Sequence, residues 1–478
     1  MGALTGARER IHERMTDTGD RIAIPQWRYA PDAWRWVRRF DDRHAGLLLR
    51  ARSARAMPAS MRERFLAMGI PGDVLDSTLQ GIRSPKDWPT AWVETAQSFL
   101  GDYRRQVSAK HLLEAAQARR LAGLSYHSAQ IFGTGDQRTM RTCRAAAASL
   151  FAQAQPYVYP DARRIMIPWR AYELPAYLQL PGNSRAKAGL VVMLNGASMS
   201  KEESFAWADN FLRAGLAVLS IDGPGTGEAS SVPNPNLDED DLLDGVFDIM
   251  RAEPAVDLSQ VSVVGISLGG SLAVRCAAYD RRIMCVVAVT PPFEPARWIT
   301  HASPILIRQL SDLSGETSDE FWSSLDRFSL YDAVPLVKAP ILVFGAARDV
   351  VVPPSEAQLL AARAGELGTL VWYPNSGHCL YDEIPSWSNE AATWISSVAA
   401  ARAMEYQSTG IADPTSVSAM AREELRSIGD IDHSFFDDES SARLIEEDEW
   451  EADDIGSYAR VITPQSRAES AEQADRAQ

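Results

Sequence analysis

Ser267 stands in "VSVVGISLGG" (residues 261–270), where four apolar residues run into Gly-x-Ser-x-Gly. A serine hydroxyl is a weak nucleophile until a base takes its proton and a third group orients that base. Taken alone the pattern is a weak motif, so the rest of the chain must supply both partners. Two residues qualify. Asp349, in "GAARDVVVPP", follows the apolar run "PILVFG", and His378, in "NSGHCLYDE", follows "TLVWYP". Ser, Asp and His in that order, each just past a strand-like run, are the parts that acyl transfer needs. The competing reading of Asp349 is a turn or cap aspartate. Six other histidines exist, at 12, 44, 111, 127, 301 and 433, and none follows a terminal apolar run in a glycine-containing loop as His378 does.

Attack on a carbonyl develops an oxyanion, which calls for two preorganised N–H donors. The amide of Leu268, directly after the nucleophile, is one candidate. The loop "NGASMSKEE" after "GLVVML" offers the other, with Ala197 first and Ser198 second. Asp222, in "IDGPGTGEAS", is expected to hold its own loop. Ser198, Glu294 and Trp298 are candidate substrate contacts; an alternative triad acid or a plain surface carboxylate are the other readings of Glu294, and ordinary packing that of Trp298.

These residues need a scaffold that delivers several chain segments to one edge. After Tyr159-Pro160, "RRIMIPW" and "LPAYLQLPG" read as a hairpin. There follow "GLVVMLNG", "LAVLSIDGPG", "VSVVGISLGG", "MCVVAVTPP", "PILVFGAARD" and "TLVWYPNSGH", separated by helical stretches, the last near 386–404. Short apolar runs alternating with helices predict an α/β architecture with a mostly parallel central sheet covered on both faces. Its crossovers should be right-handed. Residues 1–160 read as helical, since Trp34, Val37, Phe40 and Leu47 to Leu49 recur near the helical period. The predicted division is a helical N-terminal domain (1–160), a sheet domain (161–404) with a helical insertion at 294–330, and a tail (405–478).

The 478 residues carry a net charge of −15, but the last 75 hold −13 of it. The remainder is nearly neutral, which argues against a nucleic-acid partner. Charge repulsion and few apolar residues predict a disordered acidic tail, with "ARLI" and "SYARVI" as candidate docking pieces for a protein partner. Cys143, Cys276, Cys285 and Cys379 form neither a metal pattern nor a disulfide framework. No signal-peptide core, myristoylation pattern or long apolar run is present, so the expected setting is cytoplasmic, away from membranes.

Together the motifs resemble a group within the α/β-hydrolases that includes 2,6-dihydroxypseudooxynicotine hydrolase, fungal polyketide-shortening hydrolases and FrsA-like esterases. The match lies in "NGASMSKEESFAWADNFLRAGLAVLSIDGPGTGE", "GISLGG", "GAARDVVVP" and "SGHC", and in the helical segments ending in "LSYHSAQIF" and "AQAQPYVYPDARRIMIPW". The group carries an acid before its Lys-Glu-Glu run where this chain has Ser198. The resemblance implies an α/β-hydrolase fold with a helical cap and a site at the cap–sheet junction. It further implies Ser267, Asp349 and His378 as a catalytic triad, and a tendency to form homodimers. The expected activity is a serine hydrolase cleaving a C–C bond beside a ketone, or an ester, of a hydrophobic, aromatic or polyketide-like molecule, with no metal or organic cofactor. Two rivals stand beside it. One is a non-hydrolytic cyclase, lyase or acyl transferase on the same scaffold, the other a non-catalytic binding protein.

Overall fold

The computed structural model describes residues 59–131, 137–182, 187–232, 241–302, 306–307, 309–311, 321–322, 325–409 and 460–462. The expectations for residues 1–58, including the aromatic stripe at 34–49, and for most of the acidic tail lie outside them.

Among the described residues, five helices precede the sheet: α1 (Ala59–Ala67), α2 (Gly72–Gly81), α3 (Trp88–Ser108), α4 (Leu112–Gln130) and α5 (Gln137–Val158). They enclose their own apolar core, in which Phe65, Trp88, Trp92, Leu124 and Phe151 are buried. Trp92 stacks on Phe65 at 5.2 Å between ring centroids. The indole N–H of Trp88 donates to the Ser128 carbonyl at 2.8 Å, tying α3 to α4.

A nine-stranded sheet follows, in the order β1-β2-β4-β3-β5-β6-β7-β8-β9. The hairpin forms as expected, β1 (Ala162–Trp169) running antiparallel to β2 (Tyr172–Gln179). β2 is also antiparallel to β4 (Ala217–Ile221). Every later pairing is parallel, through β3 (Ala188–Leu194), β5 (Val256–Ile266), β6 (Ile283–Val289), β7 (Ile341–Ala346) and β8 (Gly368–Tyr373). β3, β4, β6 and β7 are buried along their whole lengths, which explains why they read as continuous apolar runs rather than alternating ones. Helices α6 (Phe205–Arg213), α7 (Leu242–Met250), α8 (Leu268–Tyr279), α9 (Pro354–Ala364) and α10 (Ile384–Thr409) connect or follow the strands. Two separate cores fill the two faces of the sheet. No helix among the described residues is long and apolar enough to cross a membrane.

Three details differ from the sequence expectation. The final helix runs to Thr409, five residues past its expected end. Among its described residues, the 294–330 segment has 3-10 turns at Pro295–Arg297, Ile299–His301 and Leu325–Phe328 and α-helical residues at 306–307, 309–311 and 321–322. Pro291, Pro292 and Pro295 limit helix growth at its start. Within the stretch expected as solvated tail, Arg460–Ile462 (β9) adds in parallel to the outer edge of β8. β-branched Val461 and Ile462 suit a strand, and an edge strand leaves backbone groups unpaired until something covers it.

The strand order creates the place for a site. From β3 the chain moves outward to β4, then returns to the other side of β3 to form β5. Connections diverge at this point, so the carboxyl ends of β3 and β5 flank an open crevice.

Candidate active site

Ser267 occupies the sharp turn between β5 and α8, with φ 54° and ψ −122°. A side-chain-bearing residue in this region carries about 1–3 kcal/mol of strain. Its neighbours show why the turn needs Gly-x-Ser-x-Gly. A Cβ on Gly265 would sit 2.0 Å from the Gly269 carbonyl oxygen, and one on Gly269 would sit 2.2 Å from that of Leu194. Only hydrogen fits at either position. The amide of Ser267 donates to the Val289 carbonyl at 2.8 Å, which fixes the turn to the end of β6.

His378 opens the 3-10 turn His378–Glu383 that follows β8. Its Nε2 lies 2.9 Å from Ser267 Oγ and its Nδ1 lies 2.7 Å from Asp349 Oδ2. An ionised carboxylate only accepts, so Nδ1–H donates to Asp349 and Nε2 is left to accept the Ser267 proton. The other oxygen of Asp349 is held by two amides, Val351 N at 2.8 Å and Val352 N at 2.9 Å. Burial opposes a charge on His378, but the adjacent Asp349 carboxylate outweighs it and raises the imidazole's proton affinity above its ordinary value.

The loop after β3 runs directly over Ser267. Because Leu194 pairs with Gly265, residues 195–200 leave the sheet beside the turn. A Cβ on Gly196 would lie 3.3 Å from that of Ser267. The Gly196 amide is engaged with the Met199 sulfur at 3.3 Å, leaving Ala197 as the next donor along the loop. The Leu268 amide lies in the first turn of α8, where N–H groups have no intrahelical acceptor and the helix dipole favours negative charge.

Asp222 holds the loop from beneath, as expected. It accepts from the Lys201 amide at 2.6 Å, Asn195 Nδ2 at 3.0 Å, Lys201 Nζ at 2.9 Å and the Glu228 amide at 2.9 Å. Lys201 is fully buried among Asp222, Glu202 and Glu228.

The three candidate substrate contacts have intramolecular partners. The Trp298 indole N–H donates to Glu356 Oε2 at 2.9 Å, and Trp298 is only 2% exposed. Glu294 is equally buried and pairs with Arg297 at 2.8 Å. Glu356 also accepts the amides of Phe293 and Glu294 at 2.8 and 2.7 Å. Burial pushes its carboxyl up to about 7 despite these bonds, with Glu294 adding to the effect. Ser198 receives Arg64 of α1, through Nη1 to its hydroxyl at 3.0 Å and Nη2 to its carbonyl at 2.9 Å.

Sequence reasoning did not single out Arg64, Glu203, His127, Glu356 or Thr290. Thr290, at the end of β6, has φ 44°, and its hydroxyl accepts the Cys379 amide at 3.1 Å beside His378. Its signal was faint: a β-branched residue directly before Pro-Pro. The others lie tens to hundreds of residues from the groups they touch.

Comparison with known proteins agrees with this architecture. Residues 191–391 match the model of the alpha/beta hydrolase family. The chain is 28% identical over 215 residues to 2,6-dihydropseudooxynicotine hydrolase of Paenarthrobacter nicotinovorans, covering 44% of this chain and 58% of that one. It is 31% identical over 241 residues to the hydrolyase poxO of Penicillium oxalicum, covering 47% and 56%. The matches thus span less than two thirds of these relatives' lengths. The crystal structure of 2,6-dihydroxy-pseudo-oxynicotine hydrolase superposes with a TM-score of 0.61 at 22% identity, over 70% of this chain and 94% of that one. That likeness is one of fold. Residues 191–391 thus match the alpha/beta hydrolase family, and the fold of the described residues is that of an alpha/beta hydrolase.

Proposed function

We propose that this protein is a serine hydrolase in which Ser267 attacks a carbonyl, His378 moves the proton and Asp349 orients His378. The observation that carries the reading is the continuous chain Ser267 Oγ to His378 Nε2 to His378 Nδ1 to Asp349 Oδ2, with links of 2.9 and 2.7 Å. The amides of Leu268 and Ala197 hold the oxyanion of the tetrahedral intermediate. His378, charged once it has taken the serine proton, then delivers that proton to the leaving group, and water resolves the acyl-enzyme by the same route in reverse. The raised proton affinity of His378 suits it to this second role, because it holds the proton until a basic leaving group forms.

The bond broken is an ester or a C–C bond beside a ketone. In the latter case the leaving carbon departs as an enol or delocalised carbanion equivalent and takes its proton from His378. The substrate is a hydrophobic, aromatic or polyketide-like molecule, the class that the resemblance of the motifs implies. The four cysteines are all buried and none is in a disulfide, which accords with the reducing, cytoplasmic setting we propose.

Labelling with a fluorophosphonate probe tests the assignment. Wild type should label at one equivalent and Ser267→Ala not at all. Full labelling of Ser267→Ala would refute the reading. Turnover that survives Ser267→Ala but not His378→Ala would instead assign acid–base chemistry without a serine adduct.

A further inference from the structure

A buried charge cluster joins the helical region to the loop over Ser267, and nothing in the relay itself requires it. Arg64, on α1, grips Glu203 with two nitrogens, Nε to Oε2 at 3.1 Å and Nη2 to Oε1 at 2.7 Å. The same guanidinium reaches Ser198 through both its hydroxyl and its carbonyl. His127 of α4 adds a third donor to Glu203, Nε2 to Oε1 at 2.7 Å, and is steadied in turn by Gln130 at 3.0 Å. Glu203 is 1% exposed and Arg64 9%. Burial alone would raise the Glu203 pKa, but Arg64 and His127 hold it down at about 2, so Glu203 stays ionised. Arg64 also lies 5.8 Å from the Tyr381 ring, three residues past His378. One side chain of the helical region therefore touches the loops on both sides of Ser267.

Breaking such a pair leaves a buried charge uncompensated, so the cluster has a structural cost attached to it. Stability does not explain where the fork points. Glu203 alone would satisfy a salt bridge, yet two of Arg64's four bonds go to Ser198, the residue after Ala197. With the Gly196 amide already committed to Met199, the orientation of the 197 peptide depends on what anchors its far side. Ser198 is that anchor, and Arg64 holds it.

Resting on the serine-hydrolase reading, we propose that Arg64 is a positioning residue for the oxyanion donor: it sets the Ala197 amide through Ser198, so that the site is complete only while α1 is docked. The guanidinium fork is essential, because a lysine ammonium is a point charge that cannot span a carboxylate and two oxygens of Ser198 at once. Admission of substrate by movement of the helical region would then slacken the oxyanion loop, and closure would restore it. Ser198 acts through the loop rather than by touching substrate.

The test uses the full chain, p-nitrophenyl butyrate as substrate and three variants. Arg64→Lys and Ser198→Ala should lower kcat by about 10- to 100-fold and about 3- to 10-fold, since small displacements of an oxyanion donor cost on this scale. KM should stay within about twofold, and stoichiometric fluorophosphonate labelling should persist at a reduced rate. His127→Gln keeps a donor near Glu203, and His127 itself makes no hydrogen bond to Ser198; the change should lower the melting temperature while kcat stays within about threefold of wild type. Two results overturn the proposal. One is a folded Arg64→Lys with wild-type kcat; the other is kcat falling in His127→Gln as far as in Arg64→Lys. If Arg64→Lys does not fold, Ser198→Ala decides, because it deletes one hydroxyl only, and unchanged kcat there refutes the positioning role. A wild type that neither labels nor turns over refutes the serine reading instead, which separates the two failures.

Discussion

Replacing Asp349 by asparagine isolates the electrostatic part of the relay. The side chain keeps its shape, and its oxygen can still accept the Val351 and Val352 amides at 2.8 and 2.9 Å. The group facing His378 Nδ1 across 2.7 Å then becomes an NH2, which only donates. His378 must turn Nδ1 into an acceptor and carry its hydrogen on Nε2, pointing at Ser267 and unable to take its proton. The same exchange in a serine protease costs about 10⁴ in kcat, and a loss of about 10³ to 10⁴ is expected here. The charge has a second, separable effect. Burial disfavours protonated His378, and Asp349 together with Cys379 more than offsets it, so removing the carboxylate shifts the balance back toward burial. The acid limb of kcat/KM against pH reports the free enzyme's base. It should lie above pH 6.5, the ordinary histidine value, in wild type and move down in Asp349→Asn. Stability follows the same sign. A raised folded-state pKa stabilises fully below the unfolded value and fades as pH rises through the folded one. The denaturation midpoint of wild type should therefore exceed that of Asp349→Asn most at mildly acidic pH, and the gap should narrow toward alkaline pH. An acid limb that stays in place or rises in Asp349→Asn would refute this account of the site.

Two further outcomes follow from buried groups. Lys201→Met should cost about 3–5 kcal/mol in urea denaturation, because Asp222 and Glu202 lose the cation that compensates them in the interior. A loss below about 1 kcal/mol would mean that water reaches the cluster. Gly269→Ala drives a methyl to 2.2 Å from the Leu194 carbonyl, a backbone atom that cannot swing aside, so it should yield little soluble protein and no fluorophosphonate labelling. Wild-type yield and labelling from this variant would show that the turn is looser than described.

Much of this could be read along the chain because the signals are local. A parallel strand buried on both faces must be a short apolar run, and Ser267, Asp349 and His378 each closely follow one. The tight turn needs glycines within two residues of Ser267, so its motif is written in consecutive positions. Asp222 was readable for a similar reason, as it caps its own loop and reaches back to the one before it.

Other features depend on partners that chain order does not bring near. Arg64 looks like an ordinary helix cation until folding sets it against Ser198 and Glu203, 134 and 139 residues away. Glu356 reads as a first-turn helix acid, yet it accepts three N–H donors from residues 293–298 and draws Trp298 and Glu294 inward. Phe321, Trp322 and Phe328 of the insertion fill the core on one face of the sheet, a placement that their order in the chain does not reveal. The sequence by itself determined the order of strands along the chain, the turn around Ser267 and the three candidate residues Ser267, Asp349 and His378, because period, glycine and polarity act within a few positions. Only the tertiary structure decided which buried charges face one another and which loop each one steadies. A desolvated ion finds its partner by proximity in space, and the chain between them leaves no mark of it.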